Sequence, residues 1–338
     1  MNTMKKKLVI KLLLLSATLA QENNFFSLSI LSDISFSSKD SSFNSSGLEF
    51  VAMGNLSPNA HVMAYFHSPI DGDPPTVEEV YVNFMVAQIK LGYFRPEVGI
   101  LNKTHRHTFN FISSPNAMNY MFGLHSWASL GIKINQELPT PWKSNIGMNI
   151  LQNGVGEGMN MQGHSHGLSP TYVDSVDGFS SLITLNNQFN LYGDKILFVG
   201  LNYINGRGKE FSGGDFKFIN RINQFSSWVV QSEYFIGNIS SLHHGISYHP
   251  DETLSAGYFM VGRQFNKKYH LGLLADHWSY KLKATQGTSI GLYGDYVPDE
   301  DNLVFRFKLM KDKQTDNDGM YGIIEMSWSL GSHKPKRY

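Results

Sequence analysis

Two His-x-His pairs are the residues of this chain best suited to chemistry. His105 and His107 share a segment with Arg95, Glu97, Asn102 and Arg106, and His164 and His166 lie in a Gly-rich stretch beside Met159 and Met161. Imidazole is a ligand for zinc, copper and nickel, and thioether sulfur favours Cu(I). A pair supplies only two of the three or four protein ligands such ions take. Divalent-metal binding by His164 and His166 therefore stands against plain hydrogen bonding. For His105 and His107 the alternative is orienting their own segment through backbone carbonyls. No cofactor is expected beyond that unproven metal.

Arg95 and Arg106 with Glu97 give a short segment of mixed charge. Opposed Arg and carboxylate groups across a pore set up a transverse field that favours small polar solutes. The other reading is an ion pair that pins the segment. Neither a Walker loop nor a His-Glu-x-x-His motif occurs in the chain. Asp251-Glu252 and Asp299-Glu300-Asp301 read as solvated acidic turns. No catalytic activity is expected.

The elements that must position these residues are strands. Leu303, Phe305, Phe307 and Leu309 alternate with Arg306 and Lys308. Trp228, Val230, Tyr234 and Ile236 alternate with Gln231 and Glu233, and Ile324, Met326, Trp328 and Leu330 alternate with Glu325, Ser327 and Ser329. A period of two marks half-buried strands. Strands are expected at 24–37, 48–56, 60–67, 77–85, 88–94, 125–137, 142–154, 176–189, 194–205, 213–222, 226–238, 253–264, 269–280, 287–297, 301–311 and 319–330. That is sixteen, with fourteen or eighteen left open by uncertain boundaries. A tilted strand of about 9–11 residues crosses a membrane. The connections 57–59, 86–87, 138–141, 190–193, 223–225, 265–268 and 298–300 are short. The alternate ones (38–47, 68–76, 95–124, 155–175, 206–212, 239–252, 281–286 and 312–318) are longer. Tight turns on one rim and long loops on the other are the habit of an outer-membrane β-barrel. The fold class expected is all-β, a transmembrane antiparallel barrel of about 16 strands, with a secreted β-sandwich or β-helix as the alternative.

Residues 1–20 read as a Sec-type signal peptide: Lys5, Lys6, Lys7 and Lys11 precede or interrupt an apolar run from Leu8 to Leu15, and Thr18-Leu19-Ala20 offers a cleavage site. Residues 21–338 read as one domain. Removing the signal lysines leaves 24 basic against 28 acidic residues, which gives no sign of a nucleic-acid partner. Cysteine is absent, so no disulfide framework exists.

The connection 95–124 is long and rich in Phe, Met, Ile and Leu, too apolar for a solvated coil. Folded into a barrel it would narrow the lumen. Glu78-Glu79-Val80-Tyr81-Val82, Gly92-Tyr93-Phe94-Arg95, Gly99, Leu101-Asn102, His105-Arg106-His107, Phe111, Pro115 and Phe122-Gly123 follow one another here, with Leu138-Pro139-Thr140-Pro141-Trp142 beyond and Leu330-Gly331-Ser332-His333 near the end. This pattern resembles a porin-like family of Gram-negative outer-membrane barrels, whose members are labelled porin, phosphate-selective-porin-like or zinc-regulated TonB-dependent receptor. Tyr93 and Ser114 stand where that pattern carries basic residues. The resemblance implies a Gram-negative outer-membrane location. The function expected is passive diffusion of small hydrophilic solutes or ions past a constriction of Arg95, Glu97, Asn102, His105, Arg106 and His107. The partners are outer-membrane lipid, the solute and, by architecture, a homotrimer. The alternatives are a receptor for a divalent metal and a non-conducting structural or adhesive barrel. Only 21–23 precede the first expected strand, which leaves no room for an energy-coupling plug.

Overall fold

The computed structural model describes residues 26–124, 126–156, 178–239, 241–243, 246–248, 253–280, 285–298, 302–314 and 318–334. The expected signal segment, His125, His164 and His166 lie outside these. In the first half of the chain the strands are β1 (Phe26–Ser37), β2 (Ser42–Ser57), β3 (Ala60–Ser68), β4 (Thr76–Phe84), β5 (Ile89–Phe94), β6 (Ser129–Glu137), β7 (Lys143–Leu151), β8 (Ser180–Leu191) and β9 (Lys195–Gly206). The second half supplies β10 (Lys209–Asn223), β11 (Ser226–Ile239), β12 (Ser241–His243), β13 (Ile246–Tyr248), β14 (Thr253–Phe265), β15 (Tyr269–Tyr280), β16 (Thr285–Tyr296), β17 (Leu303–Gln314) and β18 (Asp318–Leu330). β12 and β13 form a small separate hairpin, and the other sixteen close into one antiparallel barrel. Closure is between β1 and β18, in register from Ile30 opposite Leu330 to Ser37 opposite Ile323. Closure satisfies the backbone of every strand without leaving an edge, the condition for crossing lipid with strands. Among the described residues no helix is long and apolar enough to cross a membrane.

Side chains are distributed as a membrane barrel requires. On β17, Phe305, Phe307 and Leu309 point outward and are exposed, while Arg306, Lys308 and Asp312 point inward and are buried. β15 repeats this with Leu271 and Leu273 outside and His270, Asp276 and Trp278 inside. Gln231 and Glu325 face inward, as their alternation predicts. Aromatic pairs mark the rims: Tyr269 stacks on Tyr296 at 5.1 Å and Trp142 meets Phe189 at 5.3 Å near one end, and Phe36 meets Phe43 at 5.1 Å near the other. Amphipathic rings at such heights suit the lipid headgroup zone.

Among the differences from the sequence expectation, three bear on the rims and the interior. β2 starts at Ser42, so the connection before it is 38–41 rather than 38–47. Its polar start pairs with β1 through backbone bonds, Ser37 opposite Ser42, past a bulge near Asp33; pairing of this kind needs no apolar side chain. The segment 206–212 shrinks to a two-residue turn because Arg207 and Gly208 both take positive φ (53° and 72°), the conformation of a tight hairpin. Loop length therefore separates the two rims less sharply than the sequence suggests. The third difference is the interior. Inward Phe211, Phe235, Leu254, Tyr258, Trp278 and Tyr293 pack with the long segment after β5 into one buried cluster, so this part of the lumen is filled rather than wet.

Candidate functional site

The segment between β5 and β6 runs through the barrel. It contains a 3-10 turn at Arg106–Thr108 and a short helix α1 (Asn116–Phe122). Pro115 opens the helix with a fixed φ of −54° and Gly123 closes it at φ 86°, the usual placement of these two residues at helix ends. Phe94, Val98, Phe109, Met118, Met121 and Phe122 are buried. Phe122 meets Phe235 edge-on at 5.2 Å, Phe111 meets Tyr293 at 5.8 Å, and Tyr120 stacks on Trp278 at 4.8 Å.

Backbone groups of the segment are satisfied by side chains of the wall. The Gly99 N–H donates to Asn202 Oδ1 (3.2 Å), Leu101 N–H to Glu233 Oε1 (2.8 Å) and Asn116 N–H to Asp276 Oδ2 (3.0 Å), and Arg306 Nη2 donates to the His107 carbonyl (2.7 Å). These partners sit on β9, β11, β15 and β17. The segment thus spans the interior from β5 across to the far wall, held by polar groups that would otherwise be buried without partners.

Of the candidate residues, Arg95 is buried and pairs with Glu78 at 2.8 Å and Glu79 at 3.8 Å. Glu97 lies 2.5 Å from Lys133 and 3.3 Å from Lys90. Partial burial pushes its carboxyl up, but the two ammonium groups outweigh that and hold it down at about 2. Arg106 lies 2.9 Å from Glu325 and 3.8 Å from Asp33, with 46 % of its side chain exposed. Each charged residue is therefore paired with the wall, and Arg95 and Arg106 do not stand opposite Glu97 across open space. Asn102 is buried: its amide donates to the Pro96 and Trp127 carbonyls (2.9 and 3.1 Å) and accepts from Trp127 N–H (2.7 Å). It staples the two ends of the segment together.

His105 and His107 are brought to one place. His105 Nε2 lies 2.7 Å from Glu79 Oε1, and Tyr65 stacks on its ring at 3.8 Å. His107 Nδ1 lies 3.3 Å from Glu49 Oε2 and its Nε2 lies 2.7 Å from His333 Nε2. Burial lowers the His107 imidazole below its ordinary value, outweighing the neighbouring Glu49. The wall partners Glu49, Glu79, Glu233, Asp276, Arg306 and His333 were not foreseen as a set. Inward parity is the signal for the five that lie on strands, and it does not say which loop residue each one meets; His333 follows the end of β18 and carries no such signal.

Space remains on both sides of the segment. At one end a cavity of 280 Å³ lies between it and the wall, lined by Lys39, Asp40, Arg106, Asn116, Asp312 and Tyr321 among others. Towards the other end the inward side chains turn polar and less buried: Asn135, Asn145, Asn186 and Gln188.

No protein-family model matches the chain, and no curated protein matches it by sequence. Solved structures do. The outer-membrane channel DcaP of Acinetobacter baumannii superimposes with a TM-score of 0.58 at 9% identity, over 90% of this chain and 96% of that one. OprD of Pseudomonas aeruginosa gives 0.54 at 9% identity, over 91% and 96%. OpdK of Pseudomonas aeruginosa, solved with vanillate, gives 0.52 at 9% identity, over 91% and 98%. At such identities the likeness is one of fold: the chain has the sixteen-stranded porin-type barrel.

Proposed function

We propose that the protein is a porin-like channel of the Gram-negative outer membrane, exported by the signal at 1–20, through which small hydrophilic solutes or ions diffuse passively. The observation that carries this reading is a closed barrel, apolar outside, whose long segment 95–124 crosses the interior and is bonded to the wall on several strands. In this arrangement traffic is set by the gap between segment and wall. Arg106, half-exposed beside the cavity and paired with Glu325 and Asp33, is the charged group best placed to meet a solute. Arg95, Glu97, Asn102, His105 and His107 hold the segment in place, and so set the width without facing the solute. The fold likeness to channels supports the reading. Homotrimeric assembly belongs to it and is checked by native mass in detergent.

A second reading, a non-conducting barrel, draws on the buried cluster that fills part of the lumen. Planar-bilayer recording and liposome swelling with sugars, amino acids and phosphate separate the two. The channel reading expects stepwise conductance and solute entry, with Arg106→Ala shifting ion preference toward cations. Sealed liposomes and a flat trace from folded protein would favour the second.

A further inference from the structure

The geometry points to a metal site inside the barrel: we infer that His105 Nδ1, His107 Nδ1 and the Glu49 carboxylate bind a divalent transition-metal ion of the zinc class, which clamps the inward segment to β2.

The first support is spacing. One donor atom from each of the three residues falls within 4.8 Å of the others. Glu49 Oε1 is 3.6 Å from His105 Nδ1, and Glu49 Oε2 is 3.3 Å from His107 Nδ1. Ligands held about 2.0–2.2 Å from a tetrahedral zinc lie about 3.3–3.5 Å from one another. The fourth position falls to water or to Glu78, whose Oε2 is 3.7 Å from the same His105 Nδ1.

The second support is a pair of orphaned acceptors. His105 is only 8 % exposed. Its Nε2 is beside Glu79 Oε1, an acceptor, so in the neutral, ligating form of the ring that nitrogen carries the proton. The lone pair of Nδ1 is then aimed at Glu49, and neither His105 Nδ1 nor Glu49 Oε1 has a hydrogen-bond partner. With the ring neutral, two acceptors face each other in a buried site, and a metal cation between them satisfies both. A carboxylate on the outer nitrogen of a ligating histidine is the usual device that fixes its tautomer. His333 plays the matching part for His107: once an ion replaces the Nδ1 proton, the Nε2 N–H donates to His333 Nε2. The stacked Tyr65 ring holds the His105 imidazole in plane.

The third support is charge. Glu49, Glu78 and Glu79 surround the site, and Arg95, paired with the latter two, offsets one of them. Two negative charges beside neutral imidazoles match a divalent ion. Nitrogen and oxygen donors without sulfur suit zinc better than Cu(I).

The test uses the full mature chain, refolded in detergent and stripped with EDTA. Calorimetric titration with ZnCl2 is expected to show a single saturable site at micromolar concentration. His105→Ala, His107→Ala and the shape-conserving Glu49→Gln should each weaken it by about tenfold or more. Titration of the unmutated barrel with CoCl2 needs no variant to fold: strong visible bands of a four-coordinate ion are expected. Absence of saturable zinc binding, or only the weak bands of a six-coordinate ion, would overturn the inference. So would a site that survives all three substitutions but is lost in His164→Ala with His166→Ala.

Discussion

Asn102 shows how much of the inward segment depends on single side chains. It is buried and makes three hydrogen bonds that join the segment's outgoing and returning ends. Asn102→Ala leaves the Trp127 carbonyl and N–H unsatisfied and the Pro96 carbonyl with only the Val98 N–H, at a cost of about 2–4 kcal/mol; the urea midpoint of the refolded barrel should fall accordingly. Glu97 gives a pH dependence. Its carboxyl is held at about 2 in the fold against an ordinary 4.5. A depressed value means that its stabilising effect is complete above about 4.5 and is lost as pH falls through about 2. The thermal midpoint should drop more steeply on acidification in the native barrel than in Glu97→Gln, and equal slopes would contradict this. At this scale the sequence showed which residues had useful chemistry. His105, His107, Arg95 and Arg106 were all legible by type. Their partners were not, because Glu49 and His333 lie far away along the chain and meet the segment only once the barrel closes.

Among elements, the strands were the easiest to read. β15 spans the expected 269–280, and β11, β14 and β18 differ from expectation by a residue or so at their ends, because strict alternation survives wherever one face meets lipid. Alternation says nothing where a strand rises past the apolar band, so the polar start of β2 carries no strand signal. Helix α1 gives no signal either, although Pro115 and Gly123 bracket it; seven residues carry too little periodicity to stand out. The inward segment itself depends on backbone shape at Gly99. There φ is +60° and a Cβ would overlap the Glu233 carboxylate that holds Leu101 N–H. Gly99→Ala should detach this anchor, destabilise the barrel by about 1–3 kcal/mol and raise single-channel conductance by widening the gap. Unchanged conductance in a folded Gly99→Ala barrel would show that the segment does not set the width.

For the whole molecule, the inside-out arrangement of side chains is the governing fact. Ordinary overall hydrophobicity, 41%, conceals a surface of Leu, Ile and Phe around a core that holds Arg306, Lys308 and Glu325. Lipid replaces water outside, so a charge on that face is penalised. Leu273→Arg, in the middle of β15, should cost about 2–4 kcal/mol in refolding into vesicles, whereas a polar residue at an outward position near the rim should cost little. Closure into a barrel was legible from alternation and the even strand count. The filling of the lumen was not, since the same apolar residues that suit a lipid face also suit packing against an inserted segment. The measurement that bears most directly on the account is single-channel recording of the purified, folded barrel in a planar bilayer. Discrete conductance steps that grow when Gly99→Ala frees the segment are the predicted result; a folded, inserted barrel that passes no current, native or variant, would contradict it.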